Sequence, residues 1–132
     1  LDDFKAINDQ FGHDIGDHII KLAALSIRSV FRLEDCFGRL GGEEFAFSLI
    51  IEKNSDAAQV CQRLLDSIAA QKHPISEQEF ASVTASIGIT VIKPEESTTL
   101  SDLYNQADQA LYKAKDEHKN CFRQYNQAWL IK

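Results

Sequence analysis

The chain has 132 residues, 44% of them hydrophobic and 26% charged, which suits one globular domain built on one core. Its net charge of −6 excludes the broad basic surface that binds nucleic acid or an anionic membrane, while leaving room for a nucleotide held by a few local cations and a metal. The three cysteines, Cys36, Cys61 and Cys121, are scattered and odd in number; they show no metal-ligand spacing and suit a reducing cytosol better than a disulfide framework.

Residues 1–7 read as starting inside a folded element, and Asn8 to Asp17 as a turn-rich stretch. A helix follows from about Asp17 to Phe31, with Ile20, Ala23, Ala24, Ile27 and Phe31 on one face and Asp17 at a position favourable for an N-cap or first-turn acid. A hairpin comes next: a strand over 36–40, a tip over 41–44, and a strand over 45–51 whose alternating Phe45, Phe47, Leu49 and Ile51 mark the buried face. The pattern predicts a helix over 56–70 (Ala57, Cys61, Leu64 and Ile68 inward) and a polar connection after Pro74. The clean alternation of Val83, Ala85, Ile87, Ile89 and Val91 predicts a strand over 82–92. After a loop from Pro94 to Thr99, Ser101-Asp102 caps a helix reaching about Glu117, and a short strand covers 121–125. This order predicts an α/β sandwich with a mixed, mainly antiparallel sheet and flanking helices. Apolar runs are too short to cross a bilayer, no secretory leader is visible, and a first residue that is Leu rather than Met reads as a piece of a longer chain.

The chemistry concentrates at Gly41-Gly42-Glu43-Glu44-Phe45. Two glycines permit a tight turn and a close approach of backbone to ligand. Two adjacent carboxylates at such a tip call for a positive partner, and a divalent cation bound with phosphate is the natural one.

These residues do not stand alone. Asp2-Asp3-Phe4-Lys5, Ile7-Asn8-Asp9, Gly12-His13, Gly16-Asp17, the tip at 41–45, Val83 to Gly88 and Ala107 to Lys115 follow one another in an order and spacing that resembles the GGDEF-type diguanylate cyclase domains of bacteria, in the GGEEF variant, from residue 1 to about 125. The resemblance implies a nucleotidyl-cyclase-like palm that joins two GTP molecules into cyclic di-GMP and two pyrophosphates. It also implies a second domain of the same kind facing the first in a homodimer, an upstream sensory or receiver domain, and a cytoplasmic location, including that of the cytoplasmic part of a membrane-anchored sensor. No nucleic-acid partner is implied. The chain would be a single domain over 1–132 lacking the family's N-terminal helix and part of its first strand, with a tail over 126–132.

By resemblance, Glu43 is a metal-binding acid and Leu1 offers its backbone carbonyl, for Mg²⁺ or Mn²⁺, two per half-site. Glu44 supports the metal or accepts the proton of the attacking hydroxyl. The first acid of the family's Asp-x-Asp would precede Leu1, so residues 1–132 are expected to lack turnover by themselves. Asn8 and Asp17 match the guanine-recognition positions, since a carboxylate accepts from N1–H and N2–H₂ of guanine and is repelled by adenine. Asp3, Phe4 and Lys5 match a loop whose amides face the phosphates, Gly41 and Gly42 give the nucleotide room, and Lys115 and Lys119 match the pair that reaches the terminal phosphate. His118-Lys119-Asn120 stands where the family often has Gly-Arg-Asn, so the bidentate fork of Arg is lost. His13 is expected to be structural. Arg32-Leu33-Glu34-Asp35, with Arg63, matches a product-binding inhibitory site.

Plain alternatives exist for each: an exposed acidic tip, an Asn-Asp turn, a helix cap, cations at a helix end, a surface ion pair. A catalytically silent domain that binds GTP or cyclic di-GMP is the main competing function. Another palm-type cyclase fits the Asn8/Asp17 pair poorly, and a purely structural domain leaves Glu43 and Glu44 unexplained.

Overall fold

The computed structural model describes residues 1–126; the expected tail over 126–132 therefore lies, but for its first residue, outside the described residues. The chain divides into two compact units, Leu1–Ala85 and Ser86–Lys132.

The first unit opens with helix α1 (Phe4–Phe11) and, after Gly12, helix α2 (His13–Val30). Strands β1 (Cys36–Gly41) and β2 (Glu44–Ser48) form an antiparallel hairpin, helix α3 (Asn54–Ala70) follows, and β3 (His73–Pro74) pairs antiparallel with β4 (Phe80–Ala81). The core is apolar side chains at helical spacing: Ile19, Ile20, Ala23 and Ile27 of α2, Ala57, Cys61, Leu64, Leu65 and Ile68 of α3, and Phe4, Val83 and Ala85. At the end of α2, Phe31 meets Phe37 and Phe47 edge to face at 6.0 and 5.1 Å, which fastens the foot of the hairpin to the helix. Burial pushes the Cys61 thiol up to about 12, so it acts as a small apolar side chain. The second unit is a strand–helix–strand: β5 (Ile87–Ile89) and β6 (Phe122–Gln124) run parallel, joined through helix α4 (Leu100–Glu117). Among the described residues no helix is long and apolar enough to cross a membrane.

The α/β character and the mixture of antiparallel and parallel pairing are as expected. Several boundaries are not. The turn-rich stretch at 8–17 is largely helical: α1 occupies 4–11 and α2 begins at His13, so Asp17 lies in the second turn of α2 and is neither its cap nor a first-turn acid. Gly12, at φ 93°, makes the break between the helices. The expected strand over 82–92 keeps its alternation of buried and less buried residues, yet only Ile87–Ile89 pairs in a ladder. Helix α4 is capped by the Thr99 hydroxyl, which accepts from the Asp102 amide at 3.1 Å, and not by Ser101. Sheet pairing is confined to three two-stranded ladders among the described residues.

Gly88 is fixed by space. A Cβ there would stand 2.1 Å from the Ala107 carbonyl oxygen and 2.2 Å from the Leu111 nitrogen, both backbone atoms of α4. The helix approaches the strand this closely because Ala107, Ala110 and Ala114 are small. Gly88→Ala should therefore destabilise the protein by about 3 kcal/mol, since helix backbone has little freedom to yield, and chemical denaturation measures it.

His73 is wholly buried, neither of its ring nitrogens has a hydrogen-bond partner among the described residues, and its ring meets that of His18 edge to face at 5.4 Å. Burial first, and then the nearby His18, lowers its pKa below the ordinary imidazole value of about 6.5. Between the lowered value and about 6.5 the unfolded chain binds a proton at residue 73 that the folded chain refuses, so stability rises with pH through that window and levels off above it. Unfolding curves from about pH 5 to about pH 8 should show the protein weakening on the acid side, and His73→Leu should flatten that slope. An equal slope in both proteins would remove His73 from this account.

Candidate functional site at the hairpin tip

The tip is built by glycine conformation. Gly41 pairs with Glu44 across the hairpin, so Gly42 and Glu43 make the connection, with φ values of 153° at Gly41 and 52° at Gly42. A side chain at Gly42 is disfavoured by its positive φ alone, since the space around a Cβ built there is open. The pairing register shifts between Arg39 and Gly41, a bulge next to the tip. The Arg39 guanidinium folds back and its Nε donates to the Gly42 carbonyl at 2.9 Å, bringing a cation to the acidic tip. Sequence reasoning passed over Arg39; its place two residues before the glycine pair was the available signal. Glu43 is half-buried and Glu44 exposed.

The start of the chain lies against this tip. The Leu1 nitrogen donates to the Glu43 carbonyl at 3.1 Å. The next amide, of Asp2, donates the other way, to the Thr84 carbonyl at 2.8 Å, and the Thr84 hydroxyl donates to Asp2 Oδ2 at 2.7 Å. Asp2 is 4% exposed, a buried acid that the sequence reading left without a role. Asp3 then turns the chain at φ 54°, a left-handed conformation that Asp tolerates better than most residues, and starts α1. Phe4 and Lys5 are consequently not in a loop, as expected, but in the first turn of a helix, where backbone N–H groups lack helical acceptors and favour anions; Phe4 is buried and Lys5 exposed.

The α1–α2 packing brings Asn8 to Gly16, the residue before Asp17. The Asn8 side chain lies over Gly16 in α2, so that a Cβ on Gly16 would stand 1.8 Å from Asn8 Oδ1. That oxygen is buried and has no hydrogen-bond partner among the described residues, an omission that ordinarily costs about 1–3 kcal/mol. Asp17, the next residue along α2, is exposed, and so is His13 at the helix start.

Arg32 and Asp35 close a turn after α2. The Arg32 amide donates to Asp35 Oδ2 at 2.8 Å and the Asp35 amide donates to the Arg32 carbonyl at 3.1 Å, while the Arg32 guanidinium is exposed and only 4.0 Å from Glu34. Asp35 thus bonds backbone rather than the Arg32 side chain. Arg63 is exposed on α3, which packs on α2. In the second unit, Lys115 is exposed in the last turn of α4 and Lys119 follows its end at φ 57°, its amide donating to the Ala114 carbonyl at 2.9 Å. Just beyond, Arg123 Nε donates to Glu117 Oε2 at 2.6 Å, and that bond lowers the Glu117 pKa.

Among the described residues no group of three or more His, Cys, Asp or Glu side chains is gathered as a complete metal cage. The donors at the tip are hard oxygens, which suits an ion completed by substrate phosphates and water rather than a closed protein site.

Comparison with known proteins identifies the family. The family model described as the GGDEF domain of diguanylate cyclases matches residues 1–121. The bifunctional diguanylate cyclase/cyclic di-GMP phosphodiesterase MucR of Pseudomonas aeruginosa is 40% identical over 124 residues, covering 92% of this chain and 18% of that protein. The active GGEEF domain of a diguanylate cyclase from Vibrio cholerae superposes with a TM-score of 0.82 at 35% identity, over 96% of this chain and 78% of that one. The GGDEF domain of DgcB from Caulobacter crescentus, solved in complex with c-di-GMP, gives 0.83 at 31% identity, over 93% and 72%. The chain spans less than half the length of the curated relatives it matches. Fold, motif order and matched length lead to one statement: this chain belongs to the GGDEF family of diguanylate cyclase domains.

Proposed function

We propose that the domain is one half-site of a diguanylate cyclase, holding one GTP against a second GTP carried by another copy of the domain. The observation that carries this reading is the bond from the Leu1 nitrogen to the Glu43 carbonyl, which sets Leu1 beside the acidic tip. In the reaction, the 3′-oxygen of one GTP forms a bond to the α-phosphorus of the other, pyrophosphate leaves, and the hydroxyl proton passes to a base. Repeating the step in the opposite sense closes the ring and releases the second pyrophosphate.

Each residue has a role in that chemistry. Asn8 and Asp17 accept from the guanine edge, and adenine offers an acceptor where Asp17 needs a donor. The amides of Asp3, Phe4 and Lys5 at the start of α1 receive phosphate oxygens. Gly41 and Gly42 leave the nucleotide room, and Lys115 and Lys119 meet the terminal phosphate. Glu43 and the Leu1 carbonyl would hold Mg²⁺ or Mn²⁺, with Glu44 as support or as proton acceptor. When bound, two such ions neutralise the triphosphate and acidify the 3′-hydroxyl. Titrating the chain with GTP, with and without Mg²⁺, tests this. Glu43→Gln should lose at least the roughly tenfold in metal-dependent affinity that follows removal of a supporting group at a metal site. Unchanged metal dependence would overturn the assignment of Glu43.

The turn at Arg32–Asp35 fits product inhibition. Its guanidinium is exposed and not committed to Asp35, so it is able to clamp a phosphate or stack on a guanine of cyclic di-GMP, with Arg63 contributing from α3. Arg32→Ala should weaken cyclic di-GMP binding about tenfold or more in calorimetry, the loss of one charge-assisted contact. Equal affinity in both proteins would dismiss the inhibitory site.

A further inference from the structure

Asp2 and Thr84 are tied to one another twice. The Asp2 amide donates to the Thr84 carbonyl at 2.8 Å, and the Thr84 hydroxyl donates back to Asp2 Oδ2 at 2.7 Å. Residues 82 apart in sequence thus close a ring in which the main chain and the side chain of each take part. The clasp is sheltered: Asp2 is buried, and Thr84 stands between the buried Val83 and Ala85. The backbone bond would form with any residue at 84. A hydroxyl and a carboxyl taken out of water are costly against an apolar pair of the same shape, so the second tie calls for a use beyond fastening.

That use lies in the neighbouring peptide. The peptide joining Leu1 to Asp2 is trans and planar, so its C=O and N–H point in opposite directions. Holding the Asp2 N–H on Thr84 therefore aims the Leu1 carbonyl oxygen away from Thr84. The Leu1 nitrogen is itself tied to the Glu43 carbonyl at 3.1 Å. With its own nitrogen and the following amide both anchored, Leu1 has little freedom to turn its carbonyl. We propose that Thr84 is a positioning residue of the metal site: its carbonyl and hydroxyl grip Asp2 and so set the direction in which the Leu1 carbonyl oxygen is presented beside Glu43. The inference rests on the reading of Glu43 and the Leu1 carbonyl as metal ligands. Groups that orient metal ligands typically carry about tenfold or more in metal affinity.

The test is titration of the chain with GTP in the presence of Mg²⁺ and again in EDTA. Thr84→Val keeps the branched shape and the backbone bond and removes the hydroxyl. It should weaken GTP about tenfold with Mg²⁺ and leave metal-free GTP within about twofold, and Thr84→Ser, which restores the hydroxyl, should return the Mg²⁺ affinity to within about threefold of wild type. A merely structural Thr84 would lower the melting temperature and shift both affinities alike. An equal loss with and without Mg²⁺, no loss in either, or a serine variant that behaves like valine overturns the proposal and leaves the metal reading standing. A second measurement needs only the wild-type protein and decides the matter should Thr84→Val fail to fold. Adding Mg²⁺ to the GTP-bound chain should move the Asp2 amide proton downfield, because a carbonyl that takes a cation polarises the shared peptide and strengthens its bond to Thr84. An Asp2 amide resonance indifferent to Mg²⁺ overturns the proposal. A wild-type chain that binds GTP equally in Mg²⁺ and in EDTA overturns the metal reading itself, and the role of Thr84 with it.

Discussion

Two hydrogen bonds in consecutive residues organise the first unit. The Leu1 nitrogen reaches the Glu43 carbonyl, and the Asp2 amide reaches the Thr84 carbonyl on the other side. The two nitrogens reach different partners, so one short segment is tied to the hairpin tip and to Thr84 at once. The Asp2 carboxylate reinforces the second tie by accepting from Thr84, which also spares a buried acid the cost of standing unpaired. Helix α1 starts two residues after Asp2, at Phe4, so the same two bonds anchor its start. The acidic tip and the start of α1 therefore share one anchor.

How much of this was legible beforehand follows from which physical signal dominates each segment. Amphipathic helices and alternating strands announce their buried faces through hydrophobic periodicity, and α3 buries the residues expected of it, Ala57, Cys61, Leu64 and Ile68. Helix α1 was missed because Asn8, Asp9 and Gly12 are turn formers, and they outweighed a helical spacing of Phe4, Ile7 and Phe11. The buried Phe4 beneath Gly16 decides for helix, a tertiary contact no local rule contains. The start of α2 was misplaced for a related reason: Asp17 looks like a cap, while the break is made by Gly12. Over 82–92 the alternation reported burial correctly and hydrogen bonding poorly, since an exposed-to-buried rhythm needs an extended chain and not a continuous ladder.

At the site the sequence named residues more readily than relations among them. That Glu43 and Glu44 sit at a tip is local information. That Leu1 lies against Glu43, that Arg39 folds onto Gly42, and that Asn8 occupies the space above Gly16 are contacts between elements, set by how the pieces pack. Gly16 illustrates the difference. In the sequence it is one letter of a Gly-Asp pair at the supposed edge of a helix; in the fold it lies within α2, where its side of the helix is defined by the side chain of another element.

The second unit carries a similar argument in its backbone. Lys119 and Asn120 follow α4 in consecutive left-handed conformations, φ 57° and 47°. A left-handed residue at a helix end is usually glycine, and a side chain there costs roughly 1–2 kcal/mol, less for Asn, whose polar group bonds locally. The Lys119 amide does close the end of α4 on Ala114, but glycine would close it as well. A lysine kept at such a position draws attention to its side chain rather than its main chain. The inference runs from an observed backbone outlier toward a use, which is the direction in which strain is informative. It supports the reading of Lys119 as a phosphate ligand more strongly than does Lys115, whose place in the last turn of a helix is where lysine is favourable with no ligand at all.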